Sequence, residues 1–446
     1  MNTDRPQCRQ FTRRRVLHTG MAALAAACPA SAIPQLQSGD APFKTPTEPA
    51  NTPIGAGKGI HPGRVVWAHE PKAATWDGRT GNWWDDANTD SGLVETMLSG
   101  SLRSLTAEKT DREAWRALFG FFSQTRKLGG GGYRPGDKIA VKLNCNQDRP
   151  GAWRPGSGTP SRQVVCSLVH QLITEAGVPG RDITLCDASR YIGDPIFDRI
   201  RANPDPNFQA VRFMVSQRMA GNGRTEALPD KANPVHFSRP GAPTAYLPQC
   251  VTEAKYLVNV ALSRAHALMG VTQTAKNLFG SVYFEGRGFT PEPLHDYAAR
   301  NLPMGSYNCL VDLMAHKHLG GKTMLYLVDF LYVGASQNER VIKYQSFGDN
   351  WCSSLFASQD PVAIDSVGLD FIRNEPRADE CRGKPENYLH EAALAEKPPS
   401  GTAYDPDQGH MPVTSLGVHE HWNNANDRQY SRNLGKREGI ELVTLA

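Results

Sequence analysis

Hydrophobic and polar positions alternate along this chain in two periods. From Tyr256 to Leu262 both sets of alternate positions are largely apolar: Tyr256, Val258, Val260 and Leu262 on one side, Leu257 and Ala261 on the other. A strand with one wet face would carry polar residues at every second position, so this run reads as a central strand covered on both sides, as in a parallel sheet. Polar chemistry follows at once in Ser263, Arg264, His266, Thr272, Thr274, Lys276 and Asn277, closed by Gly280. Open α/β sheets bind ligands beyond the carboxyl ends of their strands, which makes 254–280 the first place to look for a site.

The same logic organises the flanks. Arg64–His69, Lys138–Asn144, Ile183–Cys186 and Ala210–Val215 read as strands. Leu93–Leu105, Asp111–Phe122, Ser161–Ala176 and Pro195–Ala202 have helical spacing, with Thr159 or Ser161 as a cap and Gly177 as a stop. Further on, Val311–Lys317 reads as a helix and Met324–Val333 as a strand with Asp329 inside it. Asp360-Pro361 opens a helix with a capping carboxylate and a proline at the first position. Within that helix Asp365 shares a face with Val362, Leu369 and Ile372, so its carboxylate needs a partner: a neighbouring loop, or a ligand that uses a perturbed pKa. Strands alternating with helices predict an α/β fold, a mostly parallel sheet with helices on both faces. The expected layout is a linker at 33–60, an amino-terminal extension at 61–136, the α/β core at 137–375 and a loop-rich, histidine-bearing carboxyl-terminal extension at 376–446.

The first 32 residues stand outside this pattern. Thr12, Arg13, Arg14, Arg15, Val16 and Leu17 match the twin-arginine export signal, followed by an apolar run from Met21 to Cys28 and an Ala30-x-Ala32 cleavage site. The expectation is a protein handed to the twin-arginine machinery and released, after cleavage at Ala32, into the periplasm or beyond. No later apolar segment approaches the ~20 residues that span a bilayer. Arg5, Arg9, Arg13, Arg14 and Arg15 against Asp4 account for the formal charge of +4, so the remainder is balanced. A balanced surface lacks the electrostatic footprint of a nucleic-acid binder.

Cys145, Cys166 and Cys186 fall in core elements, whereas Cys250, Cys309, Cys352 and Cys381 lie near loops and could pair in an oxidising compartment. No C-x-x-C pair is present, which weakens zinc-ribbon, ferredoxin and thioredoxin readings. Trp76, Trp83 and Trp84 form either a sugar-stacking platform or a satellite core. His419 and His421, two apart on an extended segment, point the same way and suit a divalent metal or an anion.

Ile139–Asn144, the run NVALSRAHALMGVTQTAKNLFG from Asn259 to Gly280, Val328-Asp329 and DPVAIDSV from Asp360 to Val367 together resemble the family called domain of unknown function 362 over about residues 137 to 375. The resemblance places Lys142, His266, Lys276, Asn277, Asp329 and Asp365 at motif positions. Some members carry ferredoxin modules; their cysteine clusters are absent here, so no iron–sulfur cluster is expected. The convergence of Lys142, Asn144, Asp187, His266 and Lys276 at strand ends favours an exported enzyme acting on a carbohydrate or another anionic, oxygen-rich substrate, with Lys276, Asp365 and His266 as catalytic candidates. Lys142, Asn144, Asp187, Asn277 and Asp329 are the ligand-binding candidates. The alternatives are a non-catalytic periplasmic binding protein and a redox accessory protein.

Overall fold

Nine strands form one sheet: β1 (Arg64–His69), β2 (Ile139–Leu143), β3 (Ile183–Asp187), β4 (Arg212–Val215), β5 (Thr225–Glu226), β6 (Tyr256–Leu262), β7 (Thr323–Phe330), β8 (Ser354–Ser358) and β9 (Glu441–Leu445). Their spatial order is β9-β1-β8-β7-β6-β2-β3-β4-β5, and every neighbouring pair is parallel except the two made by β8. The computed structural model describes residues 46, 48–129, 131–151, 153–295, 302–378 and 384–446, so the expected export segment lies outside the described residues.

The all-apolar pattern of β6 has the consequence its sequence requires: every residue of the strand is buried. Tyr256, Val258 and Val260 face one core with α1 (Ser91–Thr106), α2 (Asp111–Thr125), α3 (Arg162–His170) and α4 (Asp194–Arg201). Leu257 and Ala261 face the other, with α5 (Thr274–Asn277), α6 (Cys309–Ala315), α7 (Pro361–Arg373) and α8 (Glu386–Ala393). Helices therefore cover both faces of a mostly parallel sheet.

Helix starts obey local chemistry. Asp90 accepts from Leu93 N–H at α1, Thr110 and Glu113 make a reciprocal capping box at α2, and Ser161 rather than Thr159 caps α3. The chain that reads as one helix to Ala176 passes instead from α3 into a wider turn, Gln171–Glu175. The stretches read as extensions join the sheet, 61–136 through β1 and 376–446 through β9. The edge strand β9 has no strong sequence signal, since Glu441–Leu445 is short and only one of its side chains is fully buried.

The tryptophans do not form a platform. Trp76, Trp83 and Trp84 are 3%, 1% and 4% exposed and pack against Trp351, Tyr332 and Trp153. The indole N–H of Trp83 donates to Ser157 O at 2.9 Å and that of Trp76 to Thr80 O at 3.0 Å, so the cluster is a satellite of the core. The six cysteines among the described residues are free thiols, so Cys250, Cys309 and Cys352 do not make the pairings expected from sequence, and Cys381 lies outside the described residues.

α7 is buried along its entire length and is fastened at its start by Asp360. The Asp360 carboxylate accepts from Val362 N and Ala363 N at 3.0 and 2.9 Å, and from Lys58 N and Val418 N at 2.8 and 3.2 Å. One side chain thus satisfies a helix start and two segments distant in sequence. Asp360→Ala should destabilise the chain by about 3 kcal/mol or more, because several buried N–H groups lose their acceptor together. Urea unfolding of the two proteins measures it, and a loss under about 1 kcal/mol would show that these bonds are replaceable.

Candidate functional site

The chain runs from β2 outward through β3, β4 and β5, then returns to place β6 on the other side of β2 and continues to β7. At that reversal the connections leave in opposite directions. The segment after β2 leads to α3 on one face, and the segment after β6 leads to α5 on the other. Divergent connections leave a crevice at the carboxyl ends of the two strands. A cavity of about 220 Å³ occupies it, lined from β2 by Lys142 and Asn144, from β3 by Asp187, Ser189 and Arg190, and from the β6 side by Arg264, His266, Lys276 and Asn277.

Asn277 holds the two strands together. Its side-chain N–H groups donate to Asn259 Oδ1 at 2.8 Å, Val260 O at 3.2 Å and Lys142 O at 3.3 Å. Its Oδ1 accepts from Lys142 Nζ at 3.1 Å. The same ammonium lies 3.4 Å from Asp187 Oδ2, a pair whose side chains are 1% and 4% exposed. Asp187 is itself organised by Cys145 N at 3.0 Å and by Ser189 Oγ at 3.0 Å. Gly280 completes the packing, since a Cβ there would lie 2.8 Å from both Lys142 Nζ and Asp187 Oδ1.

Lys142, Arg190, Arg264 and Lys276 meet Asp187 as the one carboxylate among the lining residues, so the cavity carries a cationic excess. Arg264 is 1% exposed and donates from Nη1 to Gly158 O at 3.0 Å. Its Nε and Nη2 are buried and have no hydrogen-bond partner among the described residues. These two N–H groups form one edge of the guanidinium, the edge that grips a carboxylate or phosphate with two parallel bonds.

Lys276 is partly buried with its Nζ 4.1 Å from the centre of the Phe279 ring, and it donates no hydrogen bond among the described residues. Desolvation lowers its pKa to about 7; Arg190, Lys142 and Arg264 push the same way, and Cys309 opposes them. An amine poised there can take and return a proton at neutral pH. His266 differs. Burial, with Lys276, His295 and Arg264 close by, lowers its pKa to about 2, so the ring is neutral. Its Nδ1 accepts from Leu268 N–H at 3.1 Å, which puts the ring proton on Nε2 and makes His266 a hydrogen-bond donor rather than a proton acceptor.

Of the residues singled out from sequence, the structure brings together Lys142, Asn144, Asp187, His266, Lys276 and Asn277 around the cavity. Asp365 and Asp329 are not among its lining residues. Asp365 sits behind α5 and accepts from Thr274 N at 2.9 Å, Thr274 Oγ1 at 2.6 Å, Ala275 N at 3.0 Å and Tyr388 OH at 3.1 Å. Burial pushes its pKa up to about 6 against these bonds, and its place is that of a cap that aims Lys276 and Asn277. Asp329 accepts from Ser161 N at 2.6 Å and Leu331 N at 3.2 Å, which anchors the start of α3. His419 and His421 lie elsewhere, beside Glu48, and Glu48, His390 and His419 offer ligand atoms within 4.8 Å of one another, a set able to hold a metal ion.

Arg190, His295, Gln337 and Asn338 line the cavity without having been singled out. Arg190 follows the end of β3 by three residues, so the strand-end rule that selected Asp187 would have reached it. The others arrive from loops whose approach has no local signature.

Fold and site define an α/β protein with a cation-lined crevice at the reversal of its sheet. The chain belongs to the family described as Domain of unknown function (DUF362), which matches residues 139–370, from the first residue of β2 into α7. No curated protein matches the chain. Among solved structures, the lactate racemase apoprotein from Thermoanaerobacterium thermosaccharolyticum is similar at 12% identity with a TM-score of 0.33; the match covers 72% of this chain and 62% of that one, under two thirds of its length.

The depressed pKa of Lys276 sets a sign. Its ammonium is disfavoured in the fold, so the neutral amine predominates above about 7 instead of above the ordinary 10.5. Carbamylation by cyanate, followed residue by residue with mass spectrometry, should show Lys276 reacting with a midpoint near 7. A midpoint at the ordinary 10.5 would remove Lys276 as a proton carrier.

Proposed function

We propose that the chain is an exported enzyme that acts on a small oxygen-rich anion, a carboxylate or phosphate compound of the sugar-acid kind, by proton transfer. The observation that carries this reading is the buried Arg264 edge, Nε and Nη2, left without partners on a residue that lines a cavity with an excess of cations. A desolvated guanidinium edge is costly unless an acceptor arrives, and a bidentate anion satisfies both N–H groups at once. The ligand's anionic group sits on Arg264 with Arg190 and Lys142 supplying further positive field. Neutral Lys276 then takes a proton from the substrate, and the charge that develops is stabilised by the Nε2–H of His266 and the surrounding cations. Asp365, which is not among the lining residues, positions these groups from behind α5, and Asn277 holds the strand ends that carry them.

The same cavity suits a protein that only binds, and the difference is measurable. Export is supported by the twin-arginine pattern at Thr12–Leu17 and the Ala30-x-Ala32 site that follows it. Among the described residues no helix is long and apolar enough to cross a membrane. Cell fractionation with mass analysis of the amino terminus should find the protein outside the cytoplasm and beginning after Ala32.

Thermal-shift screening against hydroxy acids, sugar acids and sugar phosphates should find ligands that raise the Tm of the wild type and not of Arg264→Gln. Affinity in that variant should fall by about 2 kcal/mol or more, the usual cost of removing a buried partner of a charged ligand. A bound ligand incubated in deuterium oxide should take up deuterium in the wild type and not in Lys276→Met. Binding without exchange would make this a binding protein, and binding unaffected by Arg264→Gln would sink the anion assignment.

A further inference from the structure

Away from the cavity, three imidazoles converge on one carboxylate oxygen. His419 Nε2, His421 Nε2 and His390 Nε2 lie 2.6, 3.0 and 3.1 Å from Glu48 Oε1. His390 belongs to α8, and His419 lies on the short strand Val418–His419 that pairs with Ile54–Gly55, a few residues beyond Glu48. The two histidines of the carboxyl-terminal segment are buried, and the side chains of His390 and Glu48 are 18% and 15% exposed.

The second layer of groups decides which ring nitrogens carry protons. His421 Nδ1 is 2.6 Å from Asp370 Oδ1, and a carboxylate can only accept, so the proton is on Nδ1. The other oxygen of Asp370 accepts from Trp422 N and Tyr430 OH at 3.1 and 2.9 Å, which holds the carboxylate in place. Ser366 Oγ donates its one proton to Val362 O at 2.7 Å. At 2.8 Å from His419 Nδ1 it therefore accepts, and that ring too is protonated on Nδ1. Both rings turn Nε2 toward the Glu48 oxygen at hydrogen-bond distance, and the Arg373 guanidinium stands 3.4 Å from His421 Nε2.

We propose that this cluster holds a divalent transition metal ion, zinc or a close neighbour in the first row, on Nε2 of His390 and His419 and the Glu48 carboxylate, whose ligand atoms lie within 4.8 Å of one another, with His421 Nε2, 3.0 Å from Glu48, as the fourth donor. Three imidazole nitrogens and one carboxylate oxygen make a tetrahedral donor set for zinc. Ligating histidines characteristically donate their other N–H to a carboxylate or another fixed acceptor, the part played here by Asp370 and Ser366. Glu48 draws back from the point of convergence as the ion enters, because ligand bonds of about 2.0–2.2 Å need room between oxygen and nitrogen. With four protein ligands the site is closed, and its role is structural: it fastens the segment before Ile54 and the carboxyl-terminal loop to α7 and α8. None of its four ligands is among the residues that line the anion-binding cavity.

Full-length chain stripped with a chelator should bind zinc at one ion per chain with a rise in Tm, and should give the visible absorption of tetrahedral cobalt when titrated with Co2+. Zinc-edge X-ray absorption on the wild type should show imidazole scattering from three rings, with oxygen as the remaining donor. Ser366→Ala should weaken zinc affinity roughly tenfold with the Tm of the metal-free chain little changed, and His390→Gln should weaken it by more than about 100-fold. Folded wild type that binds no zinc would overturn the proposal. Sulfur ligation, fewer than three imidazoles, or unchanged affinity in His390→Gln would overturn it equally; the wild-type spectrum decides even if a variant does not fold.

Discussion

The side-chain amide of Asn277 is the bond on which the crevice depends. β2 and β6 are adjacent, yet their connections leave to opposite faces, and beyond the last ladder bonds something must hold the strand ends in register. Asn277 does so by donating to the carbonyl groups of Lys142 and Val260 while accepting from Lys142 Nζ. An amide is suited to this place because it offers two donors and an acceptor without charge. The Lys142–Asp187 pair can then remain buried at the floor, with Gly280 admitting both groups where any side chain would collide with them.

Above that floor the electrostatics are deliberately unbalanced. Four cationic side chains line a cavity with one carboxylate, and the fold tolerates this through two devices. His266 stays neutral, and Lys276 can shed its proton near neutrality. Desolvation by burial is the larger cause of both effects and repulsion from neighbouring cations adds to it, so the chemistry of the site follows from burying these groups close to other cations. What the crowding leaves over is the unpartnered edge of Arg264, and an anion is the group that satisfies it.

α7 connects this cavity to the histidine cluster. Asp360 starts the helix and ties in the segments at Lys58 and Val418, Asp365 caps α5, and Ser366 and Asp370, one turn apart on another face, hold His419 and His421. Gly368 lets α5 approach, since a Cβ there would meet Gln273 Oε1 at 2.2 Å. A helix buried all round can carry these carboxylates because each one is matched to hydrogen-bond donors supplied by other elements. Loss of order in the carboxyl-terminal loop would therefore be felt at α7, the element that aims Lys276.

The fold class, the buried strand at Tyr256–Leu262 and the ring of polar residues beyond strand ends were all legible in the sequence, because burial pattern and strand-end chemistry are local properties of the chain. Six of the residues chosen on that basis, Lys142, Asn144, Asp187, His266, Lys276 and Asn277, meet around the cavity. Asp365 shows where local reading stops: its apolar surroundings announced a partnered carboxylate, but only the packing of α7 on α5 made that partner a helix start. The neutral donor state of His266 depends on cations brought from other segments, and the approach of Glu48 and His390 to His419 and His421 spans most of the chain. Those contacts were decided by strand order and helix packing, since charge, tautomer and pKa are set by neighbours in space, and the sequence names the groups without saying which of them will be neighbours.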